Sequence, residues 1–269
     1  MSEHGGATGL TTIRPAPESA ALPLVLLHGF PLDSRMWLAA GSRVPAPRAV
    51  YAVDLPGTPG NADTLPEPSL DAAADGVAEL LAGIGVTRAV VAGLSMGGYV
   101  ALALLERHPH LVAGLGLLDT KAVADTAEAA ANRRARADRL EGSGTVNEVL
   151  PDVDGLLGET TRAAHPDVRE QVLTWVQEQV PAGLAWSQRA MAGRPDRTAV
   201  LRDFRGPLTV VVGDEDRVTP VDEAEAMAAG GGTLVVVRGA GHLSAVEDPD
   251  TVASALAELA RHADVADGQ

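Results

Sequence analysis

The stretch VVAGLSMGGYVALALLERHP, Val90–Pro109, sets a single serine among three glycines between two apolar runs. The residues up to Gly93 read as a buried strand and those from Met96 as a helix, so Ser95 stands at a sharp strand-to-helix turn. In that setting the pattern G-x-S-x-G lifts a serine oxygen into the open. Gly93 and Gly97 lie two residues either side of Ser95, where a Cβ would crowd the turn, and Gly98 eases the same packing. The Met96 N–H falls at the helix N-terminus, where unpaired donors and the helix dipole favour negative charge. The competing reading makes Ser95 a plain N-cap in a glycine-rich loop.

Outward from this turn the chain alternates strands and helices. Strands are expected at Leu22–Leu27, Arg48–Val53, Thr87–Gly93, Leu111–Leu118, Pro207–Gly213 and Thr233–Gly239. Helices are expected at Leu70–Leu81, Met96–His108, Val221–Ala229 and Pro249–His262. Near-continuous apolar strands separated by helices predict a mostly parallel sheet covered on both faces, an α/β doubly wound architecture. Residues 121–201 break the alternation with charged, Ala-rich helical sequence and no convincing strand. They predict a helical cap, or lid, inserted into a core made of residues 1–120 and 202–269. Such a cap lies over the C-terminal edge of the strands, where open α/β sheets bind ligands.

Composition narrows the function classes. A chain 46% hydrophobic and 21% charged is an ordinary globular one. A formal charge of −15 argues against nucleic acid and against an anionic membrane surface, since both demand a basic face. No apolar run approaches the ~18–20 residues of a membrane span. The absence of cysteine excludes disulfides and thiolate metal sites, and no His/Asp/Glu cluster has metal spacing, so no metal is expected. Met1–Pro23 reads as a flexible lead-in without the basic-then-apolar order of a signal peptide, which predicts a cytoplasmic location.

A nucleophilic serine needs a base. His242, in RGAGHLSAVEDP, follows the last expected strand through a glycine-rich turn, and His28 opens HGFPLDS after the first. His4, His108, His110, His165 and His262 read as structural or solvated. The base needs an orienting carboxylate. VVVGDEDRVTP offers Asp216, a few residues past its strand, ahead of Asp214, which suits a backbone-capping role; Asp119, after Leu111–Leu118, remains a competitor. Ser95, Asp216, His242 is a nucleophile–acid–histidine order.

Four stretches, LLHGFPLDSRMW, VVAGLSMGGYVALALLERHP, VVVGDEDRVTP and GAGHLSAVEDP, together resemble the α/β-hydrolase superfamily across nearly the whole chain. They are most similar to its small esterase, enol-lactonase and cofactor-free perhydrolase branch. The resemblance implies an α/β-hydrolase fold with Ser95 as nucleophile, His242 as general base then acid, and Asp216 as the orienting acid. It implies an oxyanion hole from the backbone N–H groups of Phe30 and Met96, a turn-stabilising His28, and no cofactor. The implied substrate is a small, mostly apolar ester or lactone. Perhydrolysis, lyase or cyclase chemistry on the same triad, and a catalytically silent binding protein are the alternatives. Two features depart from the family pattern. VDLPGTPGNADT, Val53–Thr64, replaces the usual D-x-x-G-x-G-x-S loop that borders the pocket. The antiparallel strand pair that opens the fold is hard to find before Leu22, with LTTIRPA supplying at most one edge strand.

With aromatics only 3% of the chain, the pocket is expected to be mostly aliphatic. Its candidate residues are Phe30, Leu32, Met96 and Leu243 from the core, with Trp186 and Met191 from the cap. The last two fit cap–core packing equally well. The run NRRARADR, Asn132–Arg139, either steers a carboxylate-bearing substrate or forms a solvated helix face with i,i+4 partners such as Glu128. The sequence leaves the oligomeric state open.

Overall fold

The computed structural model describes residues 9–15 and 21–268. His4 and most of the expected lead-in lie outside the described residues.

The expected strands form, with trimmed ends: β1 Gly9–Arg14, β2 Leu24–Leu27, β3 Val50–Asp54, β4 Ala89–Leu94, β5 Val112–Leu118, β6 Leu208–Gly213 and β7 Thr233–Val237. They build one sheet in the order β1-β3-β2-β4-β5-β6-β7, parallel except for β1, which runs antiparallel to β3. The strand expected within LTTIRPA is therefore real and closes the β3 edge. Along β2 the side chains alternate between two apolar layers. Leu24 and Leu26 join one, with the C-terminal helix Pro249–Asp267; Val25 and Leu27 join the other, with helices Leu70–Gly83 and Met96–Arg107. A strand buried on both faces reads as an unbroken apolar run, which is why the sequence pattern located it. From β2 the chain steps to β3 on one side and then to β4 on the other. The crevice at this switch point opens between the ends of β2 and β4.

Between β5 and β6 the described residues contain helices and no strand, the main ones being Ala127–Ser143, Pro166–Gln177 and Pro181–Ala192. Thr126 caps the first of these through Ala129 N, and Pro181 opens the last at a position that needs no N–H donor. The first and last helices pack side by side, tied by Arg189 to Asp138 at 2.9 Å and to Glu141 at 2.6 Å.

The unusual loop after β3 braces the helix Pro181–Ala192. Gly57, at φ 97°, lies against Gly183 so closely that a Cβ on Gly183 would stand 1.8 Å from the Gly57 carbonyl oxygen. Trp186, one turn on, donates its indole N–H to the Pro66 carbonyl at 2.6 Å. Backbone-to-backbone contact of this kind admits only glycine. Gly183→Ala should therefore lower the Tm by about 4–8 °C, as expected for an overpacking cost of about 2 kcal/mol in a chain of this size. Gly193→Ala, whose Cβ would meet nothing nearer than 3.8 Å, should not; scanning calorimetry of the two variants checks the contrast.

Candidate active site

The strand ends at one edge of the sheet carry the polar groups singled out in the sequence. Ser95 follows β4 directly and takes φ 52° and ψ −112°, a backbone conformation L-residues rarely adopt. Space permits it because a Cβ on Gly93 would lie 2.1 Å from the Gly97 carbonyl oxygen, and one on Gly97 the same distance from that of Leu27. The turn thrusts the hydroxyl over the sheet edge. The N-cap alternative fails locally: the Ser95 side chain makes no cap hydrogen bond.

The Ser95 Oγ lies 2.9 Å from His242 Nε2, and His242 Nδ1 lies 2.8 Å from Asp216 Oδ2. All three residues are at least 92% buried, with Ser95 the most open at 8% exposure. Asp216 Oδ1 accepts from Val218 N at 2.7 Å and Thr219 N at 3.0 Å, while Thr219 Oγ1 donates to Oδ2 at 2.7 Å. Burial works to raise the Asp216 carboxyl, but the His242 hydrogen bond and charge and the Thr219 donors outweigh it and hold the group below 3.8. The acid therefore stays ionised and fixes the imidazole proton on Nδ1, leaving Nε2 free to accept from serine.

The other two aspartates are engaged elsewhere. Asp214 accepts from Gly239 N at 2.6 Å. Asp119 accepts from Gly213 N and Ser244 N, both at 3.0 Å, and from Ser244 Oγ. Burial, reinforced by the Asp216 charge, pushes the Asp119 carboxyl well above its ordinary value despite these donors. His28 is turned inward; its Nε2 accepts from Leu55 N at 3.0 Å and its Nδ1 faces the Gly29 carbonyl at 3.2 Å. Burial lowers its pKa, so a neutral ring bridges the β2 and β3 turns. Phe30 leads away from β2 on this edge, and the Met96 N–H belongs to the first turn of Met96–Arg107, where no intrahelical acceptor exists. Among the remaining histidines, His108 pairs with Asp75 at 2.8 Å and the exposed His262 with Glu258 at 3.2 Å.

Ser95 and His242 open on a cavity of about 420 Å³. Phe30 and Met191 line it as expected. Leu32, Met96, Trp186 and Leu243 do not: each is at most 4% exposed and packed into the interior, Trp186 anchored on Pro66. No residue of the Val53–Thr64 loop lines it either. The lining is also more polar than the composition suggested, with Tyr99, Arg133, Arg136, Asp152 and Gln188 among its residues. These were missed because four come from cap elements whose inward faces are set by docking rather than by local pattern. The only sequence signal was the arginine run. Its acidic partners are Asp125, Glu148 and Asp152, from neighbouring segments rather than from i,i+4 positions. Among the described residues, no group of three His, Cys, Asp or Glu is placed to hold a metal ion, and no helix is long and apolar enough to cross a membrane.

Comparison with known proteins agrees with this fold. A model described as "Alpha/beta hydrolase family" matches residues 24–255. An esterase from Thermogutta terrifontis, solved with malate bound, superposes with a TM-score of 0.89 and 35% identity, covering 96% of this chain and 94% of that one. A pimeloyl-(acyl-carrier protein) methyl ester esterase of Aromatoleum aromaticum is 31% identical over 216 residues, 76% of this chain and 84% of that protein. The dihydrolipoyllysine-residue acetyltransferase component of the acetoin cleaving system of Pseudomonas putida is 29% identical over 89% of this chain, which spans 64% of that protein's length.

The carboxyl shifts fix opposite pH trends. A depressed Asp216 adds stability above its unfolded value of about 3.8 and loses it as pH falls through the lower folded value. A raised Asp119 adds stability at low pH and loses it as pH rises through its folded value. Relative to wild type, Asp216→Asn should thus lower the Tm most near neutral pH and progressively less towards about pH 3. Asp119→Asn should show the reverse trend, both read by calorimetry across that range.

Proposed function

The chain belongs to the alpha/beta hydrolase family, and from that premise we propose that it is a serine hydrolase of small carboxylic esters or lactones. The unbroken hydrogen-bonded relay from Ser95 Oγ through His242 to Asp216 carries the assignment. His242 Nε2 takes the Ser95 proton as the oxygen attacks the carbonyl carbon, and Asp216 stabilises the imidazolium that results. The oxyanion rests on the Phe30 and Met96 N–H groups, each worth about 3–4 kcal/mol by analogy with a measured oxyanion-hole donor. Collapse of the tetrahedral intermediate expels the alkoxide, which takes the proton from His242, and leaves an acyl-serine. Water then attacks the acyl carbon, giving its proton to Nε2, and collapse of the second tetrahedral intermediate releases the acid as Ser95 Oγ takes that proton back.

Esters and lactones pass through the same tetrahedral intermediate, so the triad serves both. The esterase names of the Thermogutta and Aromatoleum proteins support ester cleavage, and a cavity of about 420 Å³ suits a small acyl group. Residues 121–201 act as the lid, supplying the cavity wall opposite Ser95. A silent binding protein would have no need of all three residues in hydrogen-bonding order.

Ser95→Ala should lower kcat on p-nitrophenyl butyrate by about 10⁴-fold or more, and a fluorophosphonate probe should label wild type but not the variant. Turnover near the parent rate in the variant would remove Ser95 from the chemistry.

A further inference from the structure

We propose that the substrate is an ester whose acyl group carries a second, free carboxylate, and that the Arg133 guanidinium anchors it inside the cavity beside Ser95. This rests on Ser95 as the nucleophile and names the substrate class of that same site.

Charge count carries the first step. Around one wall of the cavity stand Arg133 and Arg136, with Arg194 behind them. They face two carboxylates, Asp125 and Asp152. Asp125 is shared, bonded by Arg133 Nε at 2.7 Å and by Arg194 Nη2 at 2.8 Å. Burial works to raise the Asp125 carboxyl, but the Arg194 bond and the two guanidinium charges keep it low and ionised. Arg136 is matched by Asp152, so among these five side chains positive charge exceeds negative by one, in a chain whose formal charge is −15.

Position carries the second step. The Arg194 side chain is 2% exposed and its guanidinium carbon lies over the Tyr99 ring, 4.1 Å from its centre, which commits it to the interior. The Arg133 side chain is 25% exposed. Its Nη1 reaches Gln188 Oε1 at 3.4 Å and Met191 Sδ at 3.5 Å, long contacts to two residues that line the cavity. A charge-assisted bond to a carboxylate is typically ~2.7–2.9 Å and about twice as strong as a neutral one, so an anion entering here improves on what Arg133 has. Arg136 lines the same cavity, and its buried Nε has no hydrogen-bond partner. The remaining arginines of the run turn away: Arg134 is exposed, and Arg139 is engaged with Glu148 at 2.8 Å. The planar guanidinium fork matches the two oxygens of a carboxylate.

The test compares mono-p-nitrophenyl glutarate with p-nitrophenyl pentanoate, which has the same acyl chain length without the charge. Wild type should favour the glutarate in kcat/KM by about tenfold or more, the scale of one charge-assisted bond. Arg133→Gln should remove that preference, mainly through KM for the glutarate, and Arg134→Gln should keep it. A ratio between two substrates within one preparation is independent of the folded fraction, so partial misfolding of the variant does not mask the result. A wild-type ratio near one, or an Arg133→Gln ratio equal to that of wild type, would overturn the anchor while leaving pentanoate hydrolysis in place. Turnover of neither ester would overturn the hydrolase assignment and the anchor together.

Discussion

The structure turns on the backbone of Ser95. A φ of 52° with ψ −112° costs on the order of 1–3 kcal/mol for a residue with a side chain, and it persists only where the surroundings impose it. Here they do so from several directions. Ser95 N donates to the Leu118 carbonyl at 2.9 Å, and the Ser95 carbonyl accepts from Thr120 Oγ1 at 2.8 Å and from Gly98 N at 2.9 Å. Gly97 presses against the end of β2 with no room for a Cβ. The neighbouring strand end repeats the device, with Asp119 at φ 45°. Ser95 N on the Leu118 carbonyl and Asp119 N on the Val211 carbonyl hold these strand ends side by side, with Ser95 Oγ 2.9 Å from His242 Nε2. Function and fold draw on the same strained turn.

The cap is joined to the core by polar as well as apolar contact. Arg197, 2% exposed, reaches Glu106 at 3.0 Å and also Asp71, linking the segment before β6 to two core helices. Gln179 donates to Asp33 at 2.7 Å, and Thr160 N to Glu215 at 2.9 Å. Such ion pairs, a buried guanidinium with partly exposed carboxylates, are weak contributors to net stability, because desolvation of the guanidinium offsets much of the attraction. They are strict about geometry, however, since a displaced guanidinium leaves an unpaired charge. Such contacts set where the cap sits, and the apolar seam between Ala127–Ser143 and Pro181–Ala192 holds it together.

The core of this fold was legible because its strands are buried on both faces, and β2, β4 and β5 each form an unbroken apolar run. β1 was the hard strand: GLTTIR is half-exposed and lies at an edge, so nothing in its sequence alternates cleanly. The elbow and the residues of the hydrogen-bonded relay were legible because turn chemistry and chain order both constrain them. The pocket wall was not. Leu243 adjoins His242 in sequence, yet consecutive side chains in a turn diverge, and Leu243 is fully buried in the core while the imidazole faces the serine. Trp186 has the size of a pocket residue, but its indole N–H found a carbonyl on Pro66. Arg133 and Arg134 are neighbours in an undifferentiated charged run, and only docking of the helix decides which of them meets the cavity.

The histidine loop shows how far cap and core have become one object. Glu247 gathers three backbone donors, Gly241 N at 2.9 Å, Leu243 N at 3.1 Å and Gly158 N at 2.8 Å. Two of these flank His242 and the third belongs to the cap. The His242 N–H itself donates to the cap carbonyl of Leu156 at 2.8 Å. The imidazole is thus positioned from below by the core, through Asp216, and from the side by the cap, through its own main chain. A segment attached in this way cannot be exchanged as an independent module, because the residues that shape the cavity also help to hold the His242 loop in place. That dependence ties the shape of the cavity to the alignment of the Ser95, His242 and Asp216 hydrogen bonds, so a change within residues 121–201 reaches both together.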